Sequence, residues 1–177
     1  VISNAVYFLK LTQPDASDKV REYLDIIEKE TRTSDKIITD LLDFTRIKSL
    51  DRKPVAIPEL IHQTLERYPA PPSVEVALEI APDLPLVYVD PQHIRQVLGN
   101  LTVNACQAME NVGKITISAA AQGDMIHIAV QDTGEGISSD NMKKLFEPLF
   151  TTKTKGIGLG LAVSRKLAEA NGGRIEV

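Results

Sequence analysis

Two asparagines stand one turn apart in a stretch of helical periodicity between about residues 91 and 110. Asn100 and Asn104 belong to a polar stripe that also contains Gln96 and Gln107. Apolar side chains form the neighbouring arc, and these are Ile94, Val97, Leu98, Leu101, Ala105 and Ala108. Asparagine is unfavourable inside a helix, so the stripe is either simply exposed to solvent or has a use. Amide oxygens can bind Mg²⁺ while phosphates supply the negative charge, and beside the motifs that follow we favour this interpretation.

A second motif places an aspartate ahead of two spaced glycines. Asp132 follows the predicted strand 125–131, and Gly134, Gly136 and Ile137 come directly after it. A carboxylate at a strand exit can accept a hydrogen bond from an exocyclic amino group such as adenine N6, and glycines let the backbone approach a flat base. In isolation, Asp-Thr-Gly more often marks an ordinary turn.

A third motif is the glycine run at 156–160. Gly156, Gly158 and Gly160 alternate with aliphatic residues and open a predicted helix at 158–171. Free N–H groups at a helix start bind phosphate oxygens. The run is not a P-loop, because no Gly-Lys-Ser/Thr follows, and no βαβ unit frames it as a dinucleotide site. Three such motifs within about sixty residues predict a nucleotide-binding site.

The segment between these glycine motifs combines aromatic and basic residues. Phe146 and Phe150 lie in a loop, which suggests a flap whose rings pack down around a bound ligand. Four lysines give this region a local positive surplus, and these are Lys143, Lys144, Lys153 and Lys155. Lys153 is the best candidate for a contact with a terminal phosphate. A solvated loop explains the other lysines more simply.

Composition narrows the classes of function. The 177 residues are 43% hydrophobic and 25% charged with a net charge of −4, which gives no basic face for nucleic acid. No apolar run approaches the ~20 residues that cross a bilayer. We therefore expect a cytoplasmic location without membrane contact in this chain, whereas a longer protein could be membrane-tethered. Cys106 is the single cysteine, which suits a reducing compartment, and the three histidines have no zinc spacing.

Residues 1–52 have the pattern of a helical hairpin. A turn at 13–17 separates a short first helix from a long one of roughly 30 residues. The long helix carries a heptad seam, formed by Val20, Leu24, Ile27, Thr31, Ser34, Ile38, Leu41 and Thr45. A second stripe of Ile26, Ile37 and Phe44 widens this face. We expect an antiparallel hairpin that is half of a dimeric four-helix bundle; a monomeric hairpin or a rigid spacer helix is the alternative.

Residues 53–177 alternate helical and strand patterns. The helices are predicted near 58–68, 91–110 and 158–171, and the strands at 74–80, 86–89, 114–121, 125–131 and from 174 onward. Gly172 and Gly173 end the last helix. The fold class is therefore α+β, with the hairpin followed by an α/β sandwich whose helices cover one face of the sheet.

Taken together, these motifs resemble the catalytic core of a bacterial-type sensor histidine kinase, in the nitrogen-regulator-like branch. The N box is similar to 93–105, the first glycine box to 132–137, the F box to 146–153 and the second glycine box to 156–161. The resemblance covers nearly the whole chain, with 1–50 similar to the dimerisation hairpin. It implies a Bergerat-type ATP-binding domain of the kind shared by gyrase and chaperone ATPases.

The resemblance also implies roles for individual residues. Asn104 and Asn100 would hold Mg²⁺, Asp132 would bind adenine, and 138–157 would form the ATP lid. Asn104 and Lys153 would be the catalytic pair. The remaining nucleotide contacts would be Gln107, Gly134, Gly136, Ile137, Phe146, Thr151, Thr152, Gly156, Gly158, Leu159, Gly160 and Leu161. In the implied reaction an imidazole attacks the γ-phosphoryl group of Mg-ATP, and the phosphoryl group then passes to a response-regulator receiver domain.

Three departures from the family pattern qualify these expectations. The first helix holds no histidine, so the phosphoacceptor would lie upstream of Val1 and the chain as written would not phosphorylate itself. Gln107 stands where the family often has lysine, which shifts phosphate contacts toward Lys153. A final hairpin is expected beyond Val177. Two alternatives stay open: a non-catalytic, nucleotide-gated dimerisation module, and an ATPase of the gyrase or chaperone type, against which the F box and the long heptad helix argue.

Overall fold

The structure is a computed structural model that describes residues 1–45, 50–153 and 156–177, without the side chains at 36, 37 and 40–45. The chain divides into two compact units, Val1–Arg46 and Ile47–Val177. The boundary that we infer from sequence, between residues 52 and 53, remains a proposal. Within the described ranges, no helix combines the length and the apolar character that crossing a bilayer requires.

The first unit is a pair of helices, α1 (Ile2–Thr12) and α2 (Asp18–Thr45). Among the side chains described in this unit, the buried apolar ones are Val6 of α1 and Leu24 of α2, with 3% and 9% of their surface exposed. Many other apolar side chains are exposed, among them Ile2, Tyr7, Phe8, Leu11, Val20, Tyr23, Ile26, Ile27 and Ile38. Two helices cannot enclose so wide an apolar face. The structure does not describe the side chains of Leu41 and Thr45 of the predicted seam, or those of Ile37 and Phe44 of the second stripe.

The second unit combines a three-stranded sheet with flanking helices. Its elements are β1 (Lys53–Val55), α3 (Ile57–Arg67), β2 (Val74–Ile80), β3 (Val87–Val89), α4 (Pro91–Ala108), β4 (Gly113–Gln122), β5 (Met125–Asp132), α5 (Ser139–Met142) and α6 (Gly160–Ala170). Strand β4 lies in the centre, parallel to β2 and antiparallel to β5. A separate antiparallel ribbon joins β1 to β3.

The core lies between the sheet and helices α3 and α4. In β4 the side chains alternate, so Ile115 and Ile117 point inward and are 0% and 2% exposed. They pack with Ile61 of α3 and Leu98 of α4 in one continuous cluster. The predicted arrangement of helices on one face of the sheet is confirmed.

Helices α4 and α6 form an antiparallel pair with side-chain hydrogen bonds at both ends. Near the start of α6, the amide nitrogen of Asn100 donates to the Gly160 carbonyl at 3.2 Å and to Ser164 Oγ at 3.1 Å. At the opposite end, the amide oxygen of Asn171 accepts from the backbone N–H of Asp90 at 2.7 Å. The pair is therefore fixed in register along its length.

Three local predictions differ from the structure. The predicted strand from residue 174 does not form, because no described segment pairs with 174–177 and a strand needs a hydrogen-bonded neighbour. Strand β1 was not expected, since Pro54 reads as a break, yet proline is tolerated in an edge strand. The short helix α5 lies in a segment predicted as loop, and Ser138 caps it by accepting from the Asn141 N–H.

Candidate functional site

The C-terminal half of α4 carries the amide side chains of the site. Asn100 and Asn104 are half-buried and Gln107 is exposed. The ammonium of Lys153 approaches this helix from the loop after α5, lying 2.7 Å from Gln107 Oε1 and 3.4 Å from Asn104 Oδ1. Two neutral oxygens of one helix thus hold a positive charge, which is the chemistry that a cation site needs.

Asn100 contributes differently from Asn104. Its amide nitrogen is used to join α4 to α6 through Gly160 and the fully buried Ser164. A metal contact from Asn100 would therefore rest on its oxygen alone. The metal-ligand role predicted for Asn100 and Asn104 remains a proposal.

The motif after β5 is a turn that packs directly on the end of α4. Asp132 Oδ1 accepts from the Gly134 N–H at 2.8 Å, and this leaves the second carboxylate oxygen for another donor. A Cβ at Gly134 would lie 2.6 Å from the Ala108 carbonyl oxygen. Glycine is needed there because the turn approaches the helix closely, a reason that the sequence does not reveal.

Neighbouring contacts hold the same turn in place. The hydroxyl of Thr133 accepts from the Lys114 N–H at 3.1 Å and lies 3.3 Å from the sulfur of the buried Met109. The turn is thereby attached both to β4 and to the last turn of α4. Half-buried Asp132 is held beside the amide stripe, whereas Gly136 and Ile137 further along are exposed.

The F-box segment is attached to the second glycine motif. The Leu149 N–H donates to the Gly158 carbonyl at 3.0 Å. Gly158 has a φ of +72°, and a Cβ there would lie 2.3 Å from the Phe150 carbonyl oxygen. The ring of Phe146 lies 5.6 Å from the guanidinium of Arg165 on α6. Phe146 and Phe150 are both half-buried.

The second glycine motif leads into α6 without a side-chain cap. Leu159 at the N-cap is 3% exposed, and its side chain makes no capping hydrogen bond to the first N–H groups of the helix. Gly160 and Leu161 are half-buried, whereas Thr151 and Thr152 before them are exposed. Such uncapped N–H groups can bind an anion. Lys155, which we expected to add positive charge, lies outside the described residues, as does part of the predicted lid at 138–157.

Electrostatics mark Lys153 as the unusual lysine of this region. Partial burial lowers its pKa, and the nearby carboxylate of Asp132 acts in the opposite direction. The residue as a whole is still exposed. Asp132 and Lys153 thus place a negative and a positive group in the same site.

A polar cluster at the far end of the helix pair was missed by the motif analysis. Asp90, 5% exposed, caps α4 and accepts from the backbone N–H groups of Asp51, Gln92 and His93. Burial raises the pKa of Asp90, but these three hydrogen bonds together outweigh it, so the net pKa is lowered. The sequence signal was available, since Asp before Pro is a typical helix start. The contacts with Asn171 and Asp51 had no such signal.

A family model described as "Histidine kinase-, DNA gyrase B-, and HSP90-like ATPase" matches residues 89–177, which contain every motif of the site. The chain belongs to this ATPase family. It is 33% identical over 176 residues to the sensor histidine kinase ZraS of Escherichia coli (strain K12), covering 98% of this chain and 37% of that protein. The histidine-protein kinase AtoS of the same strain is 33% identical over 96% of this chain and 29% of its own length. Sporulation kinase E of Bacillus subtilis (strain 168) is 31% identical over 96% and 24%.

Solved structures match the chain over nearly its whole length. Full-length ShkA, solved in complex with AMPPNP, superimposes with a TM-score of 0.78 and 25% identity over 96% of this chain and 38% of that one. Histidine kinase ThkA, solved with response regulator protein TrrA, gives 0.73 and 26% over 97% and 51%. The predicted resemblance to sensor histidine kinases and the predicted fold class are confirmed. The chain spans less than two fifths of the length of the curated relatives named above.

Proposed function

We propose that this chain binds Mg-ATP between α4, the Asp132 turn and the start of α6, and forms the nucleotide-binding core of a protein-histidine kinase. One observation carries the proposal: three motifs that follow α4 in the sequence meet around its second half. Asn100 bonds to Gly160, Gly134 lies against Ala108, and Lys153 reaches Asn104. Packing accounts for Gly134 and for the Asn100 amide nitrogen, but it does not account for a lysine directed at the Asn104 oxygen beside a half-buried aspartate.

The residues fit a nucleotide in parts. Asp132 offers a carboxylate oxygen to an exocyclic amino group, and the uncapped start of α6 offers N–H groups to phosphate oxygens. The amides of α4 already hold the ammonium of Lys153, so their oxygens suit a cation. Bound Mg²⁺ would neutralise phosphate charge there. We propose the other nucleotide contacts of the glycine and F-box motifs because these motifs lie around the same part of α4.

Such a site positions and neutralises rather than supplying a nucleophile. Phosphoryl transfer through a loose transition state needs little more than alignment and charge stabilisation. Lys153 can stabilise charge that develops on the transferred group, and Asn104 can orient the phosphates through a cation. The attacking imidazole would come from a histidine outside this chain, and the final acceptor would be a response-regulator receiver domain. The ThkA–TrrA complex supports a partner of that kind.

The helical unit supports a homodimer. Its exposed apolar face includes Tyr7 and Phe8 on α1, which are 69% and 62% exposed, and Ile26 and Ile27 on α2. A second copy of the chain would cover this face and complete a four-helix bundle. Light scattering of the purified chain, whose mass is 19.4 kDa, should therefore give the mass of a dimer.

Two measurements, made one after the other, test the kinase proposal. Calorimetric titration of the chain with ADP and Mg²⁺ should show one site per chain, and no binding would refute the nucleotide site. A version extended upstream through the nearest histidine should then form acid-labile phosphohistidine from ATP. Binding without phosphohistidine would instead favour the nucleotide-gated dimerisation module.

A further inference from the structure

Lys153 has a defined position against α4. Its ammonium contacts the oxygens of Gln107 and Asn104, at 2.7 and 3.4 Å. Its backbone is also held, since its N–H donates to Thr151 Oγ1 at 3.1 Å and its carbonyl accepts from the Gly156 N–H at 3.2 Å. The side chain therefore starts from a fixed turn and ends on α4.

The turn leaves no room for a side chain at residue 156. A Cβ on Gly156 would lie 2.6 Å from Thr151 Oγ1 and 3.3 Å from Lys153 Cβ. The absence of a side chain at Gly156 thus lets the second glycine motif lie against Thr151 and Lys153. Partial burial of the ammonium, which lowers its pKa, agrees with docking on the helix rather than extension into solvent.

We infer that the Lys153 ammonium is a built-in cation that docks on the amide oxygens of Asn104 and Gln107, and that it competes there with the divalent metal of the nucleotide. This inference rests on the proposed nucleotide site and deepens it. A metal bound to Asn104 Oδ1 would lie about 2 Å from that oxygen, within a few ångströms of the docked ammonium. Two cations that close repel each other, so metal binding displaces the lysine from these oxygens.

Competition of this kind has a definite sign. Coupling between two ligands of one site is reciprocal. The docked lysine therefore weakens metal binding by the same factor by which the metal weakens docking of the lysine. When Lys153 is present, its positive charge already neutralises part of the negative charge of the phosphates. Without it, the nucleotide depends more strongly on Mg²⁺.

The test compares ADP affinity in EDTA with ADP affinity in excess Mg²⁺ for three proteins. These are the unaltered chain, Lys153→Met, and the control Lys144→Met, which alters an exposed lysine of the same region. The dissociation constant of ADP in EDTA, divided by that in excess Mg²⁺, should rise about fivefold or more in Lys153→Met and stay unchanged in Lys144→Met. The rise should come mainly from weaker binding in EDTA.

The outcomes separate the two proposals. An unchanged or smaller ratio in Lys153→Met, with ADP still bound by the unaltered chain, overturns the competition and leaves the nucleotide site standing. No ADP binding by the unaltered chain in either buffer overturns both. A second readout needs no nucleotide: the side-chain NH₂ resonances of Asn104 and Gln107 should shift in Lys153→Met, and identical spectra would overturn the docked lysine.

Discussion

Replacing Asp132 by asparagine tests the base contact, because the structure assigns its two oxygens separate tasks. Oδ1 closes the turn by accepting from the Gly134 N–H at 2.8 Å, and the other oxygen is available to an exocyclic amino group. Asparagine has one acceptor oxygen and one donor NH₂ group. It can therefore satisfy either the turn or the base amino group, but not both.

The magnitude follows from that count. One hydrogen bond to a charged acceptor contributes about 1.5–3 kcal/mol, which corresponds to a loss of roughly 10- to 150-fold in affinity for Mg-ADP. The turn itself survives, because asparagine can keep the bond to Gly134. Thermal unfolding of Asp132→Asn should thus stay within about 0.5 kcal/mol of the unaltered chain.

Calorimetry with two nucleotides makes the assay specific to the base. In Asp132→Asn the NH₂ group faces the base, so IDP, whose hypoxanthine has an oxygen in place of the adenine amino group, should gain relative to ADP. Asp124→Asn, in the exposed turn between β4 and β5, is the matched control and should change neither affinity. Equal ADP affinity in Asp132→Asn and the unaltered chain would refute the assignment of Asp132 to the base.

Three further substitutions examine other parts of the unit. Asn104→Ala should abolish the dependence of ADP binding on Mg²⁺, and calorimetry that still finds this dependence would contradict the metal role. Gly158→Ala should weaken Mg-ADP binding by about tenfold or more, because its Cβ would displace the Phe150 carbonyl. Gly123→Ala is the control: Gly123 also has a positive φ, but a Cβ there would have no neighbour within 4 Å, so this variant should bind Mg-ADP normally. Asp90 has a lowered pKa in the fold, so its charge stabilises the fold above the unfolded pKa of about 4, and this contribution is lost as pH falls through the folded pKa. Asp90→Asn should thus lower the urea midpoint at pH 7 but much less near pH 3, and an equal loss at both would exclude the charge effect.

Periodicity was sufficient to place most elements of the second unit. Strand β2 was predicted at its observed bounds, and α4 within two residues at its C-terminal end, because apolar residues repeat at the spacing of each element. The prediction missed strand β1 and placed a strand at 174–177 that does not form, and both errors have the same cause. A strand is decided by what pairs with it, and the pairing partner is not visible in a local pattern.

The sequence predicted which residues belong to the candidate site better than it predicted the contacts that they make. Motif spacing indicated Asn104, Asp132 and Lys153, and the family to which they point is confirmed. Spacing could not reveal that Asn100 bonds to Ser164 or that Gly134 lies against α4, because both depend on how separate elements pack. The individual site roles remain predictions until the substitutions above are made.

The attachment of Asp51 has a consequence for engineering. Its bond to the Asp90 carboxylate uses the main-chain N–H, which every residue type except proline supplies. Arg52 adds a link from its guanidinium to the Ala170 carbonyl at 2.6 Å. Foreign modules joined ahead of Asp51 should therefore keep this attachment to the first residues of α4 and the last residues of α6, provided that Arg52 is retained and no proline stands at residue 51.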